Sequence, residues 1–532
     1  MNKSKNSSPI DPKIFFPALI LILAVAVPTI FFPQIGEMII HDAYVFVTSK
    51  FSWLYLVIIL VCFLIVIWLA FGRFGNVKLG NSEDEPEFSW FSYISMIFCG
   101  GIGISIMALS IKEPIIFLKD PPLGVEPNSV MAVEWAHAYG PFHFGPSAWA
   151  IFAIATIPIA YSVYVRKHPF LRVSVACKGV LGERMDGWIG KIVDIFVVIG
   201  IVGGVGTSLG LGVPLISALF NNLFGFEDTF LLKIMVLIIW TLLFGVSVYK
   251  GLTKGIRVLS DINIFLGLGL LIFILIVGPT LFIISSTVNS AGLLFSNFFR
   301  MSLWTDPVAK GGFTESWTAF YWAWWIAFAP TMGLFVARIS KGRTIKEVII
   351  AECVYGPLGC VAFYAIMGGY SLYLEINNVI PVSTILNEQG GPAANIAVMS
   401  SLPLPKLVLI LYTILCFIFL ATTLDSSAYT IASVCSYNIS GNEQPARWHR
   451  VFWAIVIAIF AVALIVIGGL EVVISSTILA SVPLIPVMII LTISIKQWLN
   501  EDFGKELNGE KLVTNNYPKI IKEDKLIRII RK

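Results

Sequence analysis

Charge is scarce in this chain. Asp, Glu, Lys and Arg make up only 13% of its 532 residues while 57% are hydrophobic, whereas soluble domains carry about a quarter charged residues. That balance, with a mean hydropathy of +0.86, excludes an ordinary water-soluble domain and leaves an integral membrane protein. A net charge of +4 argues against a nucleic-acid partner. The seven cysteines (62, 99, 177, 353, 360, 416 and 435) are odd in number, fall mostly inside apolar runs and show no metal-binding spacing, which argues against a disulfide scaffold or a zinc site. The five histidines (41, 137, 143, 168 and 449) form no i,i+4 pair, so no membrane metalloenzyme is indicated. A filter-loop sequence of the TVGYG kind, as a channel would want, is missing too. Nor does any Gly/Ser linker or low-complexity tract divide the chain, and 1–532 is expected to be one membrane domain.

What the sequence does have is apolar runs of about 20 residues, the length that crosses a bilayer as a helix. Twelve spans are expected: 14–32, 51–71, 89–111, 142–164, 188–220, 230–249, 258–284, 315–337, 348–372, 407–435, 450–468 and 472–495. Continuous runs favour helices that satisfy their own backbone over alternating barrel strands. The polar start, MNKSKNSSPIDPK, is not followed by a small-residue cleavage site, so Ile14 opens a retained span.

Lysine and arginine collect in the loops after even-numbered spans, from Arg73 and Lys78 through Arg166 to Arg184, Lys250 to Arg257 and Arg338 to Lys346, to Arg447 and Arg450. Because basic residues mark cytoplasmic loops, both termini are expected to be cytoplasmic in a multi-pass protein of the cell membrane. The short apolar segment 289–304 reads as a helix on the outer membrane surface. The tail from Lys496 reads as cytoplasmic, and its amphipathic basic stretch at 519–532 reads first as a solvated terminus and second as a contact with anionic lipid.

The eighth span begins SWTAFYWAWWIAFAPTMG, with four tryptophans in eighteen residues. At about 100° per residue, Trp317, Tyr321, Trp324, Trp325, Phe328 and Met332 fall in one sector. Trp322 points elsewhere. Interfacial aromatic belts explain Trp317. They do not reach Trp324 and Trp325, which lie about 10–12 Å deeper at 1.5 Å per residue. Packing between helices is one reading of such rings. The other is a cation too bulky and weakly hydrated to need hydrogen bonds, a quaternary ammonium above all.

The run Trp317-Thr318-x-Phe320-Tyr321-Trp322-Ala323-Trp324-Trp325, with ARISKGRT at 337–344, resembles the signature of the betaine/choline/carnitine transporter family. DPPLGVEPNS (120–129), GTSLGLG (206–212), KGIRVLSDIN (254–263) and TDPVAKGGF (305–313) extend the likeness over nearly the whole chain. The resemblance implies an all-α protein of 12 transmembrane helices, with two inverted five-helix repeats of the LeuT type after two extra helices. Its partition is 1–88 for the leading tail and helices, 89–286 for repeat 1, 287–314 for the surface helix, 315–495 for repeat 2 and 496–532 for the tail. A homotrimer in the bilayer is implied as well, as is a site at the bilayer midplane.

By the same resemblance the onium group is held by Trp324, Trp325 and Phe328, with Trp149, Phe152 and Phe144 from the fourth span, Tyr321 and Met332 beside them, and Gly101 and Gly103 from the third. Phe144 replaces a tryptophan usual in the family. The glycine-rich FCGGIGIS (98–105) is also weakened as a helix by its own composition, although such glycines can serve close packing alone. Ser105 stands where symporters have another glycine. No organic cofactor is expected. A coupling sodium ion is implied, with Thr422, Thr423, Phe419, Cys99 and Ile102 offering hard oxygens.

Met332 and Asn263 pull in opposite directions. Sodium-independent exchangers of the family have a methionine at the first position, whose sulfur is a poor sodium ligand. They have an arginine, absent here, at the second. Sodium symport of a glycine betaine or carnitine-like zwitterion is the expectation, and carnitine/butyrobetaine-type exchange the close alternative. Proton-coupled choline uptake through Asp425 is a third, resting on the cost of an ionisable group inside a span. Asp194, Asp261, Lys233 and Glu352, nearer span ends, are expected to be solvated or paired.

Overall fold

The computed structural model describes residues 10–250, 252–437, 445–467 and 470–507. Among them the chain is helical throughout, and its only extended pairings are two isolated bridges, Ile10 with Ser436 and Lys78 with Thr344. Among the described residues eleven helical stretches are long and apolar enough to cross a membrane, including Pro12–Phe31, Pro33–Phe71, Trp188–Phe224 and Thr314–Ile339. Large apolar side chains such as Phe16, Ile20, Phe265 and Ile276 are exposed on the outer helices. Water would penalise such a surface, whereas lipid matches it.

Prolines and glycines set where the runs break, and several expected boundaries move for that reason. The third span is interrupted: Trp90–Ile102 ends at Gly103 and the chain resumes as Ser105–Leu109 and Lys112–Lys119. The fourth is preceded by its own helix, Val130–His143. Phe144 and Gly145 form the joint before Pro146–Tyr164, so FHFGPSAWAIF straddles a break instead of lying in one helix. The seventh stops at Val277, because Pro279 lacks an N–H and disfavours helix at Gly278. The segment expected at the surface is therefore part of a longer helix, Thr280–Leu303, which is itself among those long and apolar enough to cross a membrane.

The second span starts at Pro33, not 51, since no proline interrupts 34–50 and its one glycine, Gly36, lies in the first turn of the helix. The twelfth has a tight turn, Val482–Leu484, around Pro483 and continues as Ile485–Leu507. Residues 496–507 thus continue the helix. Phe503 is buried there, and Asp502 accepts from Tyr161 at 2.5 Å and pairs with Arg166 at 2.8 Å. The basic stretch 519–532 lies outside the described residues.

The tryptophan helix Phe320–Ile339 is the axis of the bundle, buried along nearly its whole length. It packs against Pro146–Tyr164, Trp188–Phe224 and Leu470–Ser481. On the face carrying the basic loops, the ARISKGRT motif forms a clasp. Arg343 lies over the Tyr93 ring at 4.0 Å and donates to the Phe88 carbonyl at 2.8 Å, while Gly342 N–H donates to the Leu79 carbonyl at 2.8 Å. Asp11, buried before the first helix, accepts from Lys191 and, at 3.1 Å, from Arg172. These contacts fix the ends of the helices that carry the site.

Candidate functional site

Two groups of side chains meet at the interrupted helix. The first is a ring cluster. Trp324 and Trp325 are stacked with centroids 5.2 Å apart and planes 4° from parallel, and Tyr321 lies nearly parallel to both at 6.1 and 6.0 Å. Phe144 and Phe152 meet Trp325 edge-on at 5.1 and 5.8 Å. Phe152 in turn contacts Phe328 at 6.1 Å and Trp149 at 5.6 Å. A Cβ built on Gly101 would come within 2.9 Å of Met332 Cε and 3.3 Å of Trp149 Cη2, so a side chain there would have to displace the methionine methyl and press on the indole.

The indole N–H groups answer why tryptophan can stand in so apolar a place. Trp324 Nε1 donates to the Gly204 carbonyl at 3.1 Å and Trp325 Nε1 to the His143 carbonyl at 3.0 Å. Each polar edge is satisfied sideways, which locks the ring and presents its π faces to the cluster. Trp322 turns away, meeting Phe142 and His143 edge-on. Trp317 is buried against Phe117, with centroids 5.0 Å apart. It sits in the wide π-type turn Thr314–Ala319, which shifts it from the position a regular helix would give it.

The second group faces the other edge of the glycine stretch. Thr422 Oγ1 bonds the carbonyls of Cys99 at 3.3 Å and Phe419 at 2.8 Å, and Thr423 Oγ1 bonds Phe419 at 3.0 Å. Gly103, with φ +58° and ψ −149°, approaches Thr423 so closely that a Cβ would lie 2.5 Å from its hydroxyl. Gly103 therefore stands in the threonine group and not among the rings. Ser105 Oγ donates to the Ile102 carbonyl, so that carbonyl is already engaged. Asn263, wholly buried, donates to Cys99 Sγ at 3.8 Å and keeps an Oδ1 with no hydrogen-bond partner among the described residues. Hydroxyl, carbonyl and carboxamide oxygens are the donors a hard monovalent cation takes.

Glu113 was not singled out from the sequence. It is fully buried and accepts from the hydroxyls of both Tyr321 and Tyr364, tying the broken helix to the ring cluster. Its only sequence signal was an ionisable residue directly after an apolar run. His143, which stacks on Tyr321 at 4.6 Å and bonds Thr318 at 3.1 Å, was passed over as well. Replacing Glu113 with Ala strands two buried hydroxyls, and the expected cost is about 2–4 kcal/mol of stability. Thermal melts in detergent check this. Glu113→Gln keeps an acceptor and should fall between, and a Glu113→Ala protein melting with the parent would show that the carboxyl holds nothing together.

Glu352 corrects another expectation. It is fully buried, bonded to Thr156 at 2.9 Å, and forms no ion pair among the described residues, because the wide turn Ala351–Tyr355 turns it inward. Asp194 pairs with Arg172 at 3.8 Å and Lys233 with Asp228 at 3.5 Å, as expected of them. Asp261 accepts from Ser92 at 2.9 Å. Asp425, buried in Pro405–Val434, lies in the electrostatic field of buried Arg450.

Comparison with known proteins gives the following. The family model described as BCCT, betaine/carnitine/choline family transporter, matches residues 13–504. A carnitine transporter of Acinetobacter baumannii is 35% identical over 453 residues, covering 84% of this chain and 82% of that protein. A solved structure of a Na+-coupled sialic acid symporter, in its substrate-bound outward-open state, aligns at 14% identity with a TM-score of 0.41 over 85% of this chain and 87% of that one.

Proposed function

This chain belongs to the betaine/carnitine/choline transporter family, and from that premise we propose that it carries a zwitterionic quaternary ammonium compound, of the glycine betaine or carnitine kind, across the cell membrane by sodium symport. The observation that carries the reading is the parallel stack of Trp324 and Trp325, buried in mid-span with both N–H groups satisfied elsewhere. A trimethylammonium group has no hydrogen to donate, so it gains nothing from carbonyls that a π face does not supply better. Tyr321, Phe144, Phe152, Phe328 and Trp149 complete the walls, with Met332 and Gly101 at the floor. The rings touch one another in this conformation, so substrate entry parts them, as alternating access requires.

Sodium coupling is supported by the oxygen-rich second group. Thr422, Thr423 and the carbonyls of Cys99 and Phe419 would hold the ion, with Ile102 a weaker donor behind Ser105 and the orphan Oδ1 of Asn263 an added one. Occupying that site would tie the broken helix to Pro405–Val434, and so couple the ion to the floor of the ring cluster. In keeping with the family, we place the chain in twelve spans with two inverted repeats, over the partition given above with the border after repeat 1 moved to Pro279, both termini cytoplasmic, assembled as a homotrimer.

Exchange is the second reading, favoured by Met332, whose sulfur is packed against Gly101 where it offers a cation little. Uptake of labelled glycine betaine and carnitine into proteoliposomes separates the two. Symport predicts uptake into empty vesicles that rises severalfold with an inward sodium gradient and is lost in Thr423→Ala. Uptake that needs internal substrate and ignores sodium would establish exchange instead.

A further inference from the structure

Lys112 begins the helix that follows the break, next to Glu113. Its side chain is nine-tenths buried, at 9% exposure, yet it has no hydrogen bond or ion pair to any described residue. Burying an ammonium without a partner costs several kcal/mol, so such a lysine is rarely left alone. Its ammonium lies against Gly391, 3.1 Å from where a Cβ would stand. Gly391 opens the ten-residue helix Gly391–Ser400, and the start of a helix carries partial positive charge. A cation held against that end is repelled by it.

Both groups line a cavity of 380 Å³, together with Lys233, Asn395, Ala108 and Gly210. Lys233 is partly neutralised by Asp228 at 3.5 Å, and Glu113, the other acid nearby, is engaged by two tyrosines. The cavity therefore gathers two ammonium groups, two carboxylates and a helix N-terminus, but the Glu113 oxygens are taken by the tyrosines, so the buried Lys112 ammonium gains charge compensation from its neighbour and no hydrogen bond. A hydrogen-bond acceptor is missing. Its place along the transport path follows from the helix Trp188–Phe224, which supplies Gly204 to Trp324 and Gly210 to the cavity. Six residues of helix put the two about 9 Å apart.

We infer that this cavity is a carboxylate subsite, in which Lys112 and the start of Gly391–Ser400 hold the acidic end of the zwitterion before its ammonium end enters the rings. The inference rests on the transport reading above, and it adds a reason for the preference: a carboxylate-free onium such as choline leaves the buried Lys112 ammonium without an acceptor, whereas a carboxylate supplies one.

The test separates the two ends of the ligand. Purified protein, as parent, Lys112→Met and Lys112→Arg, is titrated with acetate (carboxylate only), tetramethylammonium (onium only) and glycine betaine (both), at constant ionic strength made up with chloride. Thermal shift reads acetate and tryptophan fluorescence reads the onium compounds. Acetate should stabilise the parent and Lys112→Arg but not Lys112→Met, and half-saturation by glycine betaine should rise about tenfold in Lys112→Met, the scale of one charge-assisted contact. Tetramethylammonium should bind all three alike. Acetate shifts that are equal in Lys112→Met and parent, absent from both, or matched by added chloride would overturn the carboxylate assignment. Loss of tetramethylammonium binding from the parent would sink the ring reading and leave the acetate result to stand by itself.

Discussion

Trp324→Ala is expected to weaken binding of glycine betaine or carnitine by at least ~30-fold, the value of a desolvated cation–π contact of about 2 kcal/mol. Trp324→Phe, which keeps a smaller π face, should lose less. The difficulty with any such variant is that removing a buried tryptophan also costs about 3–5 kcal/mol of stability. Trp322 supplies the control. It is as buried as Trp324 and two residues away, but it meets Phe142 and His143 and no ring of the cluster that holds Trp324 and Trp325. Trp322→Ala should therefore lower the melting temperature comparably while leaving affinity within about twofold of the parent, as for substitutions outside a binding hot spot. If both alanine variants lost affinity equally, the rings would be packing and nothing more.

Gly103→Ala is expected to reduce transport at least ~tenfold, from a backbone penalty of about 1–3 kcal/mol. Two effects coincide at this residue. Its φ of +58° and ψ of −149° fall where a side chain is strained, and a Cβ would lie 2.5 Å from Thr423 Oγ1. The double variant Gly103→Ala/Thr423→Ala distinguishes them. Because Thr423→Ala by itself removes sodium-driven uptake, the double variant is read by thermal melting: relief of the clash leaves the backbone strain, so it should melt no higher than Gly103→Ala. Gly100→Ala is the milder neighbour, since its Cβ would meet only the Phe335 ring edge at 3.1 Å. Initial uptake rates normalised to protein in the membrane read the two single variants. Full activity in Gly103→Ala would mean that the break in this helix is incidental to transport.

The residues of these two experiments differ in how they could be found. Gly103 was legible because composition alone weakens a helix holding three glycines in four positions, and the chain does break there. Trp324 and Trp325 were legible because helical periodicity sets them on one side, apart from Trp322. Phe144 was named for the right cluster but in the wrong setting. It lies at a joint between two helices, whose position Gly145 and Pro146 decide and a hydropathy window blurs.

By itself the sequence determined that the chain is helical and membrane-spanning, because apolar runs of such length can satisfy their backbone in lipid only as helices. It also determined which side chains share a helical face, since that follows from a fixed angle per residue. Tertiary structure alone decided that Glu113 holds Tyr321 and Tyr364, 208 and 251 residues away, and that Lys112 points at the start of a helix nearly three hundred residues on. Periodicity is a local property of a chain. Who meets whom across a bundle depends on where each helix breaks and how it is rotated, and only the packed whole fixes both.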